Sequence, residues 1–391
     1  MKNETTAPSP IDRMIDFLTT HYAFRYNTVM NCTEYRPVDS PVGSFEPLDL
    51  RTRRRIILEV QRGGIEVSQN DIRNYIDSDY VRQYDPVGDY LAECEGVWDG
   101  HDHIGDLALT VPTDTPLWRE WFTTWLLAMV SQWQNQSSRL YGNSVAPLLI
   151  SPQGYNKSTF CRRLLPDALK WGYTDSLALS DRRQVMLAMS QQLLINLDEF
   201  NQISPRVQQG FLKNIIQLPS VKVKRPFGTH IEELPRKASF IATSNMTDIL
   251  ADPSGNRRFI GIELTAPIDT SRVPDHRQLF AQALQLLRNG RRSWFDKAET
   301  EQIMLWNRRY EIQEPADQYF SLCFSVAADP LDPAAEWLST AEIFDVIKQK
   351  VGSSLKANTL IAFGRKLANM PGMHRRKCET CTRYLVKRVG Q

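Results

Sequence analysis

No apolar run in this chain is long enough to cross a bilayer. The most apolar stretch, Trp121 to Trp133, is short and broken by threonine, serine and glutamine, whereas a membrane helix needs about 20 consecutive apolar residues. The opening Met-Lys-Asn-Glu-Thr-Thr-Ala-Pro-Ser-Pro has no apolar centre of signal-peptide type. The net charge is only +2, so any nucleic-acid contact must come from local patches. Six cysteines (Cys32, Cys94, Cys161, Cys323, Cys378, Cys381) are scattered over 391 residues, too sparse for a disulfide scaffold, which points to a reducing cytoplasm. There is no internal repeat and no extended low-complexity tract. An apolar content of 42% with 10% aromatics is enough for cores in two or three domains.

The richest stretch is Pro147 to Phe160, P-L-L-I-S-P-Q-G-Y-N-K-S-T-F. An apolar run, Leu148 to Ile150, stops at a loop, and Lys157-Ser158-Thr159 opens an amphipathic segment. Strand, loop, helix is the context of a phosphate-binding loop, where backbone N–H groups and a lysine cradle an anion and the next hydroxyl holds Mg²⁺. The glycine pattern is degenerate: Ser151 stands for the first glycine and Asn156 for the second. Asparagine is the non-glycine residue that best tolerates positive φ, so the loop geometry is expected to survive. Ser151, Gln153, Gly154, Asn156, Lys157, Ser158 and Thr159 are the expected nucleotide contacts. An ordinary βα loop with a chance Lys-Ser is the alternative.

Two further strand tips add to this. Leu193 to Leu197 reads as a buried strand ending in Asp198-Glu199; the first carboxylate suits the Mg²⁺ shell, with Ser158, and the second suits polarising a water. Ala238 to Thr243 ends in Ser244-Asn245, whose amide could orient that water or touch a γ-phosphate; a turn asparagine is the alternative. Pro253 to Asn256 makes a turn into Arg257-Arg258-Phe259-Ile260, placing an arginine where it could reach a neighbouring subunit's nucleotide.

These segments, Q-G-Y-N-K-S-T-F, L-I-N-L-D-E-F, S-F-I-A-T-S-N and D-P-S-G-N-R-R-F-I, resemble the virulence-associated E family, P-loop ATPases of phages, plasmids and integrated mobile elements. That family is similar to the superfamily-three helicase branch of the AAA+ ATPases. The resemblance covers most of the chain, since Pro86 to Leu91, Trp98-Asp99-Gly100 and the C-terminal module also look like members. It implies ATP and Mg²⁺ as ligands, Lys157 and Ser158 on phosphate and metal, Asp198 and Glu199 as the Walker B pair, Asn245 as sensor, and Arg257 or Arg258 as arginine finger. It also implies a ring, a hexamer or another ring, acting on single-stranded or forked DNA.

The expected fold class is α/β: a P-loop AAA+-like core, an N-terminal mixed α/β or helical domain and a C-terminal winged-helix-like domain. Residues 1–10 read as a disordered tail, 11–112 as an accessory domain, 113–314 as the ATPase, 315–338 as a linker around Asp329 to Pro333, and 339–391 as the basic C-terminal domain. In the accessory part, Ile15 to Arg25 is helix-like, Leu48 to Arg62 is helical with a basic run at Arg51, Arg53, Arg54 and Arg55, and Ser68-Gln69-Asn70-Asp71 reads as the cap of a further helix, Ile72 to Asp77. That run reads as a solvated face or as a nucleic-acid contact. Trp118, Trp121, Trp125, Met129 and Trp133 recur at three or four residues and mark a buried helical face within Leu117 to Ser137. Cys94, His101 and His103 lack a full set of metal ligands.

Ser220 to Leu234 reads as a β-hairpin around Pro226-Phe227-Gly228. Superfamily-three helicases, which this region resembles, grip DNA in the ring pore with a hairpin at this position, so Lys222, Lys224, Arg225, Phe227 and His230 are the DNA candidates; a solvated edge guarded by lysines is the alternative. Arg277 to Leu287 and Ala298 to Tyr310 read as a small helical lid. Ser339 to Glu342 is a capping box, Asn358 caps a second helix, and two strands flank Cys378-Glu379-Thr380-Cys381. The basic run from Arg365, including Arg375, Arg376 and Lys377, is a nucleic-acid footprint or a solvated basic surface. Cys378 and Cys381 read as two cysteines flanking a hairpin tip; zinc, for which His374 would add only one further ligand, and a redox pair are the alternatives.

The sequence therefore reads as an ATP-dependent DNA helicase or replication-initiation ATPase of a mobile genetic element, cytoplasmic and without a membrane contact. Residues 1 to 110 carry no primase signature, so a priming partner would be a separate protein. The alternative is a nucleotide-gated DNA-binding regulator that hydrolyses ATP poorly or not at all.

Overall fold

The computed structural model describes residues 8–40, 43–135, 142–224, 230–252, 256–312, 315–327, 329–330, 332–351, 359–370, 372–378 and 381–389. The fold is mixed α/β. Helix α1 (Pro10–His21) starts at a capping box, with Asp12 N donating to Ser9 Oγ at 3.2 Å and Ser9 N to Asp12 Oδ2 at 3.0 Å. The sequence reading carries this helix to Arg25, but it stops at His21. Tyr22–Asn27 is instead strand β1, because its aromatic-rich Tyr-Ala-Phe-Arg-Tyr run pairs along its whole length with β2 (Cys32–Pro37). With β3 (Glu46–Pro47) and β4 (Gln83–Tyr84) they form a sheet ordered β3-β2-β1-β4. Helices α2 (Leu50–Arg62) and α3 (Gln69–Ile76) bury Ile56, Ile57, Val60, Ile72 and Ile76 against Met14 and Leu18. Of the basic run on α2, Arg53 is held by both oxygens of Asp77 at 2.5 and 2.8 Å, whereas Arg51 and Arg54 are exposed.

The central element is a five-stranded parallel sheet. In chain order its strands are β5 (Ala146–Ile150), β6 (Tyr173–Thr174), β7 (Leu194–Leu197), β10 (Ser239–Ser244) and β11 (Phe259–Glu263). A two-stranded antiparallel hairpin, β8 (Ser220–Val223) and β9 (Glu232–Pro235), precedes β10. The spatial order of the sheet is β11-β5-β10-β7-β6.

Continuous apolar runs such as Leu148-Leu149-Ile150 suit strands covered on both faces, and the period-two alternation sorts their side chains into two cores. Leu149, Ile241, Ile260 and Ile262 join one core, with α6 (Trp118–Trp133), α7 (Lys157–Arg163) and α11 (His276–Arg288). Leu148, Ile150, Phe240, Ala242 and Phe259 join the other, with α8 (Arg182–Gln191). The tryptophan spacing is borne out as a core helix: Trp118, Trp121, Trp125, Met129 and Trp133 are all buried. Each such indole removes roughly 150–250 Å² from water, worth about 4–6 kcal/mol at ~25 cal/mol/Å².

Helices α4 (Pro86–Cys94) and α5 (His103–Leu109) also pack into the first core, against α11 and α6. This corrects the expected lid: α11 is a core helix, and α12 (Lys297–Asn307) packs on β11, where Asn307 donates to Phe259 O at 2.6 Å. The helical segment after Ser204 is irregular, α9 (Pro205–Val207) and α10 (Lys213–Ile215) being joined by a π-helical turn.

At the C-terminal end, α13 (Pro315–Cys323) and β12 (Phe324–Val326) occupy the first part of the stretch read as linker. Strand β12 pairs with β15 (Thr382–Arg388), which also pairs with β13 (Ala335–Ser339) and β14 (Arg375–Lys377). Helices α14 (Thr340–Val351) and α15 (Thr359–Asn369) supply the rest of this core. The capping box at Ser339 and Glu342 is present, Ser339 N donating to Glu342 Oε2 at 2.6 Å. Asn358, Glu379 and Thr380 lie outside the described residues. Among the described residues, no helix is long and apolar enough to cross a membrane.

Candidate functional site

The strand order decides which side chains meet. Strand β10 lies between β5 and β7, with Ser244 opposite Ile150 and Ala242 opposite Leu197. The three strands therefore end nearly level, and β10's last residues face the loop after β5 on one side and the carboxylates after β7 on the other. Crevices outside the carboxyl ends of parallel strands are where open α/β sheets bind ligands.

The loop from Ser151 to Asn156 keeps its left-handed geometry without the glycines of the strict pattern. Asn156 has φ 61° and Gly154 φ 83°, and a Cβ at Gly154 would meet nothing within 4 Å, so the loop faces open space there. Asn156 also uses its side chain, Nδ2 donating to Ile268 O at 3.1 Å. Lys157 is buried at 7% exposure. Its Nζ donates to Ser151 O at 2.7 Å, Ser151 Oγ at 2.8 Å, Pro152 O at 2.9 Å and Asn245 Oδ1 at 3.1 Å. All four acceptors are uncharged. Burial pushes the amine below its usual range, and the nearby Asp198 only partly opposes this.

Ser158 Oγ donates to Asp198 Oδ1 at 3.1 Å, and Thr243 Oγ1 donates to the same oxygen. Glu199 follows in a left-handed conformation, φ 49° and ψ 49°, its carboxylate accepting from Gln202 Nε2. A glutamate in that region is backbone strain of the kind that gathers at functional sites. Lys157, Ser158, Asp198 and Asn245 thus form one connected cluster, with Glu199 beside Asp198; Gln153, Gly154 and Thr159 sit exposed around it.

Thr243 was missed in the sequence reading. Its signal is a hydroxyl two residues before Asn245 on the strand separating loop from carboxylates.

Arg257 and Arg258 are not part of this cluster. They precede β11, with Arg258 O accepting from Ala146 N at 2.8 Å, at the opposite end of the sheet from Ser151. At ~3.3 Å per residue that is roughly 15–20 Å away. The two also differ: Arg258 is half-buried and donates to Gln217 Oε1 at 2.9 Å, and burial lowers its pKa, while Arg257 is exposed.

The expected hairpin is present. Val221 and Val223 are buried, while Lys222 and Lys224 are exposed, the backbone oxygen of Lys224 accepting from Arg183 at 3.1 Å. His230 is exposed, and Arg225 and Phe227 lie outside the described residues. The hairpin's base is anchored by a buried arginine that sequence reasoning passed over. Arg236 donates to the carbonyls of Asn143, Ile216, Leu218 and Ala238 at 2.9, 2.5, 3.1 and 2.7 Å. In the C-terminal unit, Arg375, Arg376 and Lys377 are exposed on the short strand β14, whereas Lys387 and Arg388 are paired with Asp332 and Glu336. Among the described residues no group of three or more histidine, cysteine or acidic side chains forms a metal cage.

These observations define a mixed α/β protein whose five-stranded parallel sheet gathers a lysine loop, a serine, an aspartate and an asparagine at its carboxyl edge. The chain belongs to the virulence-associated protein E-like family, whose domain matches residues 91–312, more than half its length. Residues 313–386 match a domain of unknown function from B. Theta, DUF3874. Among solved structures the chain is similar to the apo C-terminal region (305–718) of NrS-1, with 12% identity, 98% of this chain and 100% of that chain covered, and a TM-score of 0.50. It is also similar to the A form of the apo NrS-1 C-terminal region, with 12% identity, 97% and 100% covered, and a TM-score of 0.48. At 12% identity the first of these likenesses speaks for the fold alone. No curated protein matches.

Proposed function

We propose that the protein is an ATP-hydrolysing DNA motor of a mobile genetic element, a P-loop ATPase of AAA+ type working as a cytoplasmic ring in replication. The observation that carries this reading is the convergence of Lys157, Ser158, Asp198 and Asn245 on adjacent strand tips. In this reading Lys157 leaves its neutral loop acceptors for phosphate oxygens, a charge-assisted exchange. Loop N–H groups from Gln153 to Thr159 line the phosphates, Asn245 touches the terminal phosphate, and Glu199 takes a proton from the attacking water.

The donor set fits Mg²⁺. One hydroxyl and one carboxylate already share a hydrogen bond, and this ion is usually held by one or two carboxylates plus substrate phosphates and waters. Ser158 and Asp198 would hold the ion, which would supply charge neutralisation on the transferring phosphoryl group.

Arg257 is the better finger for a neighbouring subunit, because Arg258 is engaged internally and both lie too far from their own loop. Lys222, Lys224, Arg225, Phe227 and His230 contact DNA, and Arg375, Arg376 and Lys377 form a second contact on a winged-helix-like unit in which α14, α15 and the β14–β15 hairpin pack with α13, β12 and β13. The hydrogen bonding of Lys157 onto its own loop and Asn245 favours a second reading, a nucleotide-gated DNA-binding regulator with little turnover.

The two readings separate in an ATPase assay with and without single-stranded DNA. A motor shows turnover that DNA raises and that Lys222→Glu/Lys224→Glu no longer lets DNA raise. ATP binding with no turnover in either condition excludes the motor.

A further inference from the structure

Helix α2 carries a stripe of arginines that neither the fold nor the strand-tip cluster uses. Arg51, Arg55, Leu58 and Arg62 follow at i, i+4, i+7 and i+11, one line along the helix, with Leu50 and Arg54 on the adjoining row. All six are exposed, Leu50 at 61% and Leu58 at 58%, while Ile56, Ile57 and Val60 bury the opposite face. At ~1.5 Å per residue the line from Arg51 to Arg62 is about 16 Å long.

The chain supplies counter-ions to other arginines but hardly to these. Arg53, on the same helix, is held by both oxygens of Asp77. Arg55 has Glu59 at 3.9 Å, a carboxylate that also accepts from the Tyr22 hydroxyl. Asp49 lies near Arg51, but its Oδ1 caps the helix, accepting from Thr52 N at 2.6 Å. Among the described residues Arg54 and Arg62 have no hydrogen-bond or ion-pair partner. The arrangement also works against the helix itself. Its first turn contains no acid, and a cation there meets the positive end of the helix. Arg51 faces Arg54 and Arg55 at i+3 and i+4, where like charges repel. A stripe that folding disfavours and no internal partner neutralises suits a polyanion outside the chain.

The make-up of the stripe selects the polyanion. Its cations are all arginines, whose planar fork matches phosphate oxygens in pairs. Its length covers roughly four to five phosphates of one DNA strand at ~3.4 Å of axis each. It carries no aromatic ring on which an unpaired base could stack, which favours a duplex backbone over a single strand and leaves Leu50 and Leu58 for apolar contact at the groove edge.

We propose that the face of α2 formed by Arg51, Arg54, Arg55 and Arg62 binds the phosphate backbone of duplex DNA, so that the accessory domain holds the double-stranded arm of a fork. The proposal shares a DNA partner with the reading above but uses none of its residues and no nucleotide. Anisotropy titration of the full chain, without nucleotide, against a labelled duplex and a single strand of the same length over a range of salt tests it.

Arg51→Gln/Arg54→Gln/Arg62→Gln removes three phosphate contacts, so the slope of log affinity against log salt for the duplex falls by about 3, at ~0.9 per phosphate. Single-strand affinity stays within about twofold of wild type, and the unfolding midpoint does not fall, because the stripe has no folding partner to lose. Arg54→Glu/Arg62→Glu, at the two positions without partners, lowers the duplex slope by about 2 and covers the case in which the triple variant is unstable. A duplex slope equal to wild type in both variants overturns the proposal, and a loss of DNA affinity in Lys222→Glu/Lys224→Glu alone then leaves the hairpin reading standing without it. Equal losses on duplex and single strand overturn the duplex assignment. Labelled polyglutamate that binds wild type and is lost from the variants, with duplex affinity unchanged, assigns the stripe to an acidic protein instead. Wild type that binds neither form of DNA refutes this proposal and the DNA-motor reading together.

Discussion

Replacing Lys157 by alanine removes the only ammonium in the loop cluster, and its hydrogen bonds set the size of the effect. The amine has three protons and four neutral acceptors between 2.7 and 3.1 Å. On binding, two of those protons would turn to phosphate. Charge-assisted bonds are worth about 1.5–3 kcal/mol each and the neutral bonds they replace about 1 kcal/mol, so the net gain is roughly 1–4 kcal/mol. Lys157→Ala should therefore weaken Mg²⁺-ATP binding by about 5- to 700-fold, at about 1.4 kcal/mol per decade. Equilibrium titration with a fluorescent ATP analogue measures this, with circular dichroism as the control for the fold.

The same residue predicts a pH effect whose sign follows from its burial. The folded amine titrates below its ordinary 10.5, so between the lowered folded pKa and 10.5 the unfolded chain binds the extra proton. Stability must then rise with pH through that window, while below it the cost of the buried charge is fully present. Wild type minus Lys157→Ala isolates this component in denaturant titrations. An unchanged ATP affinity in the variant, or a pH slope identical in the two proteins, would refute the account of the loop.

Two structural predictions accompany it. In Gly261→Ala the new Cβ would enter the ring of the buried Tyr310, so strand β11 or the helical segment around Tyr310 must shift; a loss of about 1–3 kcal/mol is expected in denaturant titration, and an unchanged midpoint would show that the packing there is loose. Arg236→Met leaves four carbonyls at the hairpin base without their donor while relieving a buried charge whose pKa burial already pushes down. The expected net cost is about 2–5 kcal/mol, read as a lowered unfolding midpoint, and a more stable variant would mean that desolvation dominates there.

The strands that build the site were legible because each announces itself locally. Leu148-Leu149-Ile150, Leu193 to Leu197 and Ala238 to Thr243 are short apolar runs with polar residues at their ends, and parallel sheets bury such runs on both faces. Their spatial order was not legible, since nothing in a single run says that β10 inserts between β5 and β7. That insertion is what brings Thr243 to Asp198 and Asn245 to Lys157.

Arg236 was opaque for a related reason: a basic residue after a hairpin reads as solvated, and only the closing of three backbone segments around it, at Asn143, at Ile216 and Leu218, and at Ala238, turns it into an internal clamp. The extension of the first helix to Arg25 failed because tertiary pairing with β2 overrode a helix-like local pattern. The lid failed because α11 carries its apolar stripe into the same core as α4 and α6, a partnership between segments some 150 residues apart or more in the chain.

Phosphate release from Mg²⁺-ATP by wild type and Glu199→Gln, side by side with saturating single-stranded DNA, tests the central claim most directly. Glu199 stands next to Asp198, the carboxylate proposed for the metal, in a strained conformation, and the amide cannot take the proton from water. The account predicts turnover in wild type, a loss of at least about 100-fold in the variant, and ATP affinity retained in both. Equal turnover in the two proteins would contradict it.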